Sequence, residues 1–223
     1  MEKISGHKAF SIHALPDGLI FPYLIEKIEE ENQYRIGYKM VSFSTGKISN
    51  VTKSIFMLTK FGSEYASFIG KIKNYLTCFS ILMENGQTFV VEKDGTSTLF
   101  SGADEIWSGK LLYKNTAPGG IAAASGSLWV SYPEHNVLVR YNLKTLREEL
   151  RIGGNHSPFV QTEGIFPAGS KLFVCNTGSN SIWKVDTTNY ITELYYKFDE
   201  PVYDYKFINK YEIVSLESGI YLL

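Results

Sequence analysis

His135, His156 and Glu163 are the side chains whose chemistry first invites a reading, because imidazole and carboxylate groups together make zinc sites. No short spacing such as His-x-x-x-His joins them, so separate turns would have to converge to build a metal centre. The expectation is therefore no metal ion and no cofactor. Catalytic motifs are equally sparse. The chain has no Gly-x-Ser-x-Gly elbow, which excludes an esterase of that kind, and no glycine-rich phosphate loop. Asp104, Glu163 and Asp204 could act as acid and base in a paired-carboxylate glycosidase, but spacing along a chain does not fix separation in space. Cys78 and Cys175 each lie inside an apolar run, Tyr75-Leu-Thr-Cys-Phe and Leu172-Phe-Val-Cys. They read as buried thiols that pack like small hydrophobes.

Composition narrows the classes further. In the 223 residues, 22 Lys and Arg face 23 Asp and Glu, a net charge of -1. A phosphate-backbone binder needs a basic excess, so no nucleic-acid partner is expected. No apolar run reaches the ~18 residues of a membrane helix. Met1 to Lys8 carries no apolar segment of the secretory type. The expectation is an intracellular protein without membrane insertion. With 44% apolar and 20% charged residues the chain has globular composition, and its length allows a single domain over residues 1–223.

The elements that would position any site emerge when the sequence is compared with itself. A shift of 118–152 by 44 residues carries Gly120-Ile121 onto Gly164-Ile165, Leu128-Trp129-Val130 onto Leu172-Phe173-Val174, Asn136 onto Asn180 and Asn142 onto Asp186. Each unit is a series of short apolar runs rich in Val, Ile, Tyr, Trp and Phe, separated by Gly, Asn, Ser or Pro turns. Such runs are strands. Four strands in ~40–45 residues is the period of a propeller blade.

The same grammar appears upstream. Cys78 to Leu82, a Glu84-Asn85-Gly86 turn, Thr88 to Val91, an Asp94-Gly95 turn and Thr98 to Phe100 suggest an earlier blade. Tyr23 to Gln33, rich in Glu and Lys, reads as a long charged hairpin tip. Downstream, three strands run from Tyr203 to Leu223. A sheet left short of its outer strand exposes unpaired backbone groups, and Lys3 to Phe10 can supply the missing strand. The expectation is an all-β fold: a single five-bladed β-propeller closed by pairing of the N- and C-terminal strands, with a six-bladed ring as the alternative.

The segments from Gly119 to Asn142 and from Glu163 to Asp186 resemble single blades of the NHL and YVTN type of β-propeller. The shared features are Gly-Ile opening the first strand, an aromatic-Val pair in the second, an Asn turn, and Tyr-Asn or Val-Asp closing the third. The resemblance covers 117–223 well and 9–100 by pattern alone, where blades are longer and lack the glycine openings. It implies that turns between second and third strands share a rim with the links between blades. That rim would gather Glu134 and His135 with Asn136, Asn176 and Asn180 from the turns, and Asp104, Glu105, Trp107, His156 and Glu163 from the links. The longest link, Ser101 to Pro118, reads either as a functional loop or as an extra strand anchored by Trp107.

The architecture serves many chemistries. The reading that best fits repeated, turn-like polar residues is a non-catalytic binding or assembly module. It would present a rim to a protein partner or to a copy of itself. The alternatives are a small hydrolase or lyase, glycosidase- or lactonase-like, with a carboxylate or metal site at the channel mouth, and a structural component of a larger particle.

Overall fold

Period-two alternation of large apolar and polar residues puts one face of each strand into a core and leaves the other for the next sheet. The computed structural model describes residues 1–9, 12–15, 17–28, 33–51, 57–61, 64–68, 78–82, 87–92, 96–101, 104–116, 118–208 and 210–223. The expected turns Glu84-Asn85-Gly86 and Asp94-Gly95, Phe10, and the tip at 29–32 lie outside these residues.

Strand β1 (Glu2–Ser5) opens the chain. It is followed by β2 (His13–Leu15), β3 (Gly18–Ile28), β4 (Gln33–Ser42) and β5 (Ile48–Val51), which form one antiparallel sheet in chain order. β6 (Met57–Phe61) and β7 (Glu64–Phe68) make a two-stranded hairpin. Three further four-stranded sheets follow, each again in chain order. The first is β8 (Cys78–Leu82), β9 (Gln87–Glu92), β10 (Thr96–Ser101) and β11 (Asp104–Lys110). The second is β12 (Gly120–Ala124), β13 (Ser127–Tyr132), β14 (Val137–Asn142) and β15 (Glu148–Gly153). The third is β16 (Thr162–Ala168), β17 (Lys171–Asn176), β18 (Ser181–Asp186) and β19 (Thr192–Lys197). Last come β20 (Val202–Ile208), β21 (Tyr211–Leu216) and β22 (Gly219–Leu222), whose fourth strand is β1, paired antiparallel to β22 through Glu2↔Leu222 and Lys3↔Tyr221. The protein is all-β, and its only helical pieces among the described residues are single 3-10 turns.

The charged stretch after Tyr23 is indeed a hairpin, since β3 and β4 pair out to Ile28↔Gln33. The long link is not a loop over its whole length: Asp104–Lys110 is the outer strand β11, with Leu99 opposite Trp107.

Sheets pack face to face. Trp129, Leu138, Phe159, Leu172 and Val174 fill the space between the second and third sheets of the central run. Tyr205, Val214 and Leu216 meet Cys175 and Ile182 across the next interval. Ile208, Ile213 and Ile220 meet Ala9, Ile12, Leu19 and Phe21, so the carboxyl-terminal sheet packs on the amino-terminal one. Each large side chain buried this way stabilises the fold by ~1.5–3 kcal/mol relative to exposure.

The segment after β1 is bound tightly to β20 and β21. Lys8 Nζ donates to Glu217 Oε2 at 2.8 Å and to the Tyr203 hydroxyl at 3.0 Å. Ser215 Oγ donates to the Ala9 carbonyl at 2.5 Å and stands 3.3 Å from the Ala9 N–H. Removing residues 1–9 uncovers the edge of β22 and orphans these groups. The expected cost is ~3–5 kcal/mol, seen by calorimetry as a fall of about 10 °C in melting temperature. An unchanged melting temperature would show that pairing of the two ends is dispensable.

Candidate functional site

The turn between β13 and β14 is a single 3-10 turn, Pro133–His135, ended by Asn136 in the left-handed region at φ 57°. Its counterpart, Thr177–Ser179, is ended by Asn180 at φ 52°. Asn tolerates this conformation better than other side-chain-bearing residues, which accounts for its recurrence. The main-chain carbonyls of both residues then face the following segment: Gly154 N–H donates to Asn136 O at 2.9 Å and Phe198 N–H to Asn180 O at 2.8 Å.

These asparagines do more than close their own turns. Asn136 Oδ1 accepts the Gln161 N–H at 2.7 Å, across the link to the next sheet. Asn176 Oδ1 accepts the Val160 N–H at 2.5 Å, while its Nδ2 donates to the Pro158 carbonyl at 2.8 Å and Ser179 Oγ at 2.6 Å. The link 154–161 is therefore clamped from both sides, and the turns and this link do share one rim.

The sequence-predicted residues are distributed unevenly on it. Glu134 is exposed at the crest of its turn. His135 is half-buried, its ring edge-on to Tyr113 at 5.3 Å, and its Nε2 is buried without a hydrogen-bond partner. His156 is exposed at φ 72° within the clamped link. Glu163 is half-buried on β16, and its Oε2 lies 2.8 Å from where a Cβ on Gly119 would stand, so a side chain at 119 would displace it. Asp104, Glu105 and Trp107 belong to β11, not to a link, because the strand pairs with β10 along its length. Among the described residues no group of three or more His, Cys, Asp or Glu is placed to hold a metal ion, so His135, His156 and Glu163 are not brought together as a ligand set. His7 meets Lys39 Nζ at 2.6 Å, and its ring centroid lies 4.7 Å from that of Tyr23 with the planes tilted by 43°. Burial, with the Lys39 charge beside it, holds its imidazole below the ordinary histidine range.

Sequence reasoning missed the seams between sheets. Ser131 Oγ donates to the Glu163 carbonyl at 2.5 Å, Thr177 Oγ1 to the Val202 carbonyl at 2.6 Å, and Ser215 Oγ to the Ala9 carbonyl. Each bond joins one sheet to the start of the next. Gly120 stands opposite Ser131 and Asp204 opposite Ser215, and Gly164 lies near the start of β16 between them in chain order. A Cβ on Gly120 would lie 2.5 Å from the Glu163 carbonyl oxygen, and one on Gly164 would lie 2.6 Å from that of Tyr203.

Asp204 occupies the equivalent place in the last sheet. Its buried carboxylate accepts the Ile12 N–H at 2.7 Å, the Tyr205 N–H at 2.9 Å and Lys206 Nζ at 2.8 Å. Burial pushes its carboxyl up, against the pull of the Lys206 ammonium and the two N–H groups. A buried carboxylate that accepts two backbone N–H groups and an ammonium serves to hold backbone together. Burial pushes the neighbouring Cys175 thiol well above its usual range, which makes it inert as a nucleophile.

No family model matches the sequence, and a search of curated proteins finds no match. Solved structures do resemble it. A streptogramin B lyase aligns with TM-score 0.53 at 16% identity, covering 96% of this chain and 65% of the lyase. A catalytically inactive virginiamycin B lyase from Staphylococcus aureus, solved with quinupristin, aligns with TM-score 0.52 at 17% identity, covering 91% of this chain and 60% of that one. The chain thus spans less than two thirds of the length of either lyase. A chain of the mitotic checkpoint complex aligns with TM-score 0.59 at 8% identity over 95% of this chain and 82% of its own, and the WD40 β-propeller domain of Doa1 with TM-score 0.53 at 12% identity over 96% and 62%. Likeness at such low identity establishes the fold class alone: an all-β protein of β-propeller kind.

Asp204→Asn leaves the Lys206 ammonium beside a neutral amide and the Ile12 N–H with a weaker acceptor. A loss of ~2–4 kcal/mol in urea denaturation is expected, partly recovered by adding Lys206→Met. A second expectation concerns pH. The Lys8 ammonium, with the Tyr203 hydroxyl, holds the Glu217 carboxyl below its ordinary range. A carboxyl lowered by folding contributes stability that is complete above its unfolded value, near ~4.3, and lost as pH falls through the folded one. Protection factors of the β1 amides, corrected for the intrinsic exchange rate, should therefore fall below about pH 4 in the native protein and show no such step in Glu217→Gln.

Proposed function

We propose that residues 1–223 form one β-propeller with NHL-like blades, closed by the β1–β22 pairing. In it, five four-stranded blades are accompanied by the β6–β7 hairpin in the interval between β2 and β8. In this reading the protein is a non-catalytic binding or assembly module that works inside the cell and presents the Pro133–Asn136 rim to a protein partner or to another copy of itself. The observation that carries it is the clamped link. Asn136 and Asn176 fix 154–161 between two sheets, so Glu134, Asn155, His156 and Val160 are held exposed on a rigid platform. Rigid presentation lowers the entropy cost of association. The polar side chains of the rim serve the scaffold rather than a reacting centre, and the fold resembles those of the WD40 domain of Doa1 and of a chain of the mitotic checkpoint complex.

The lyase likenesses favour a second reading, a lyase with a carboxylate site at the channel mouth around Glu163. Two measurements separate the readings. In affinity capture, Glu134→Lys combined with Val160→Asp should reduce recovery of the partner, or self-association in sedimentation, about tenfold with an unchanged melting temperature. Stoichiometric zinc or calcium in the purified protein, together with unaltered capture by the double variant, would overturn the binding reading.

A further inference from the structure

His7 stands between two sheets and is held by both. The segment after β1 belongs to the last sheet. Its His7 N–H donates to Ser5 Oγ at 3.2 Å, Lys8 Nζ reaches Glu217 and Tyr203, and Ala9 is bonded to Ser215. The His7 side chain instead meets the first sheet. Its Nε2 is 2.6 Å from Lys39 Nζ on β4, and its ring centroid is 4.7 Å from that of Tyr23 on β3. Lys39 Nζ also stands over the Tyr23 ring, 5.0 Å from its centroid. Imidazole, ammonium and phenol ring thus form one cluster across the joint where the last sheet meets the first.

The chemistry of the contact fixes its protonation. An ammonium has three donors and no acceptor, so His7 Nε2 accepts from Lys39 and the neutral ring carries its proton on Nδ1. A second proton has to go on Nε2, the atom that Lys39 occupies. Protonation therefore removes the bond and sets imidazolium against ammonium at the same place. The other charged groups of the surrounding elements are engaged elsewhere: Lys3 on β1 lies over the Tyr221 ring of β22, and the Lys8 ammonium is held by Glu217 and the Tyr203 hydroxyl. Among the described residues no carboxylate acts on His7; burial and then the Lys39 charge hold its imidazole below the ordinary range. A histidine lowered by folding contributes stability that is complete above its unfolded value, near ~6.5, and lost as pH falls through the folded one. Glu217 is held below the ordinary carboxylate range, so the grip of the last sheet on Lys8 outlasts the titration of His7.

We propose that His7 and Lys39 form an acid-sensitive latch between the first and last sheets. The latch is engaged while the imidazole is neutral. A second proton releases the amino-terminal segment from Tyr23 and Lys39, while Lys8 and Ala9 keep it on the last sheet. Ile4 and Tyr23 pack at the margin of the core that Leu19, Phe21 and Val41 share with Ile208, Ile213 and Ile220, so release opens the edge of that core to water. Asp204, raised by burial, is a second acid-responsive group of this joint; it bonds the Ile12 and Tyr205 N–H groups and Lys206, and substitution separates its titration from that of His7. The latch stands on residues apart from the Pro133–Asn136 rim and does not depend on the function proposed for that rim.

The test takes the full chain from about pH 7.5 to about pH 5 and follows the His7 and Tyr23 ring resonances by NMR, together with the melting temperature. The His7 midpoint is expected below the ordinary ~6.5, with the Tyr23 resonances shifting at the same pH. In Lys39→Met the His7 midpoint should rise by about 0.5 in pH. His7→Gln keeps an acceptor for Lys39 that does not titrate, so its melting temperature should fall about 2–4 °C less over this range than that of the native protein. A His7 midpoint at or above ~6.5, a midpoint unmoved in Lys39→Met, or an equal fall in His7→Gln would each overturn the latch. Should His7→Gln melt well below the native protein at neutral pH, the His7 midpoint in Lys39→Met decides alone.

Discussion

The structure depends on the bonds by which the edge of one sheet reaches the first strand of the next. Sheets packed only by apolar faces can slide, since dispersion and burial are non-directional. Ser131, Thr177 and Ser215 supply direction: each buried hydroxyl donates to a carbonyl at or just before the first strand of the following sheet. Gly120 and Gly164 let those backbones approach closely enough for the bonds to form. Where the carboxyl-terminal sheet meets the amino-terminal segment, the chain uses Asp204 in the glycine position and bridges the gap with a carboxylate.

The central repeat was legible because its signals are local. Gly120-Ile121 and Gly164-Ile165, the aromatic-Val pairs and the Asn turns recur at one spacing, and they fall on β12–β14 and β16–β18 as read. The need for a fourth strand in the last sheet was also legible, from the three strands after Tyr203, although the strand that fills it is Glu2–Ser5 rather than Lys3 to Phe10. The outer strand β11 was harder. Its sequence, Asp-Glu-Ile-Trp-Ser-Gly-Lys, is poor in β-branched residues and carries a glycine, so it mimics a loop. Pairing with β10 overrides that weak local preference.

Other features were hidden for geometric reasons. Leu146 and Tyr190 stand in the left-handed region at the ends of corresponding turns, where Gly46 does the same in the first sheet. A leucine or tyrosine gives no hint of such a backbone, and the Asn142 and Asp186 side chains that brace those turns carry the signal instead. Asp204 could have been found: its sheet repeats the grammar of the preceding ones, and setting it beside Gly120 and Gly164 exposes an acid at a position that is otherwise glycine.

The partnership of β1 with β22 has a consequence for how the molecule comes into being. Glu2 is synthesised more than two hundred codons ahead of its neighbour in the finished sheet, Leu222. Contacts so distant along the chain form late and slow the approach to the native state. Throughout translation the opening segment must wait, with its backbone donors unsatisfied except by water. The apolar residues just behind it, Ala9 and Ile12, are exposed for the same interval. Nascent chains are therefore in need of a chaperone around β1 and the apolar residues behind it, and that need ends when β22 emerges.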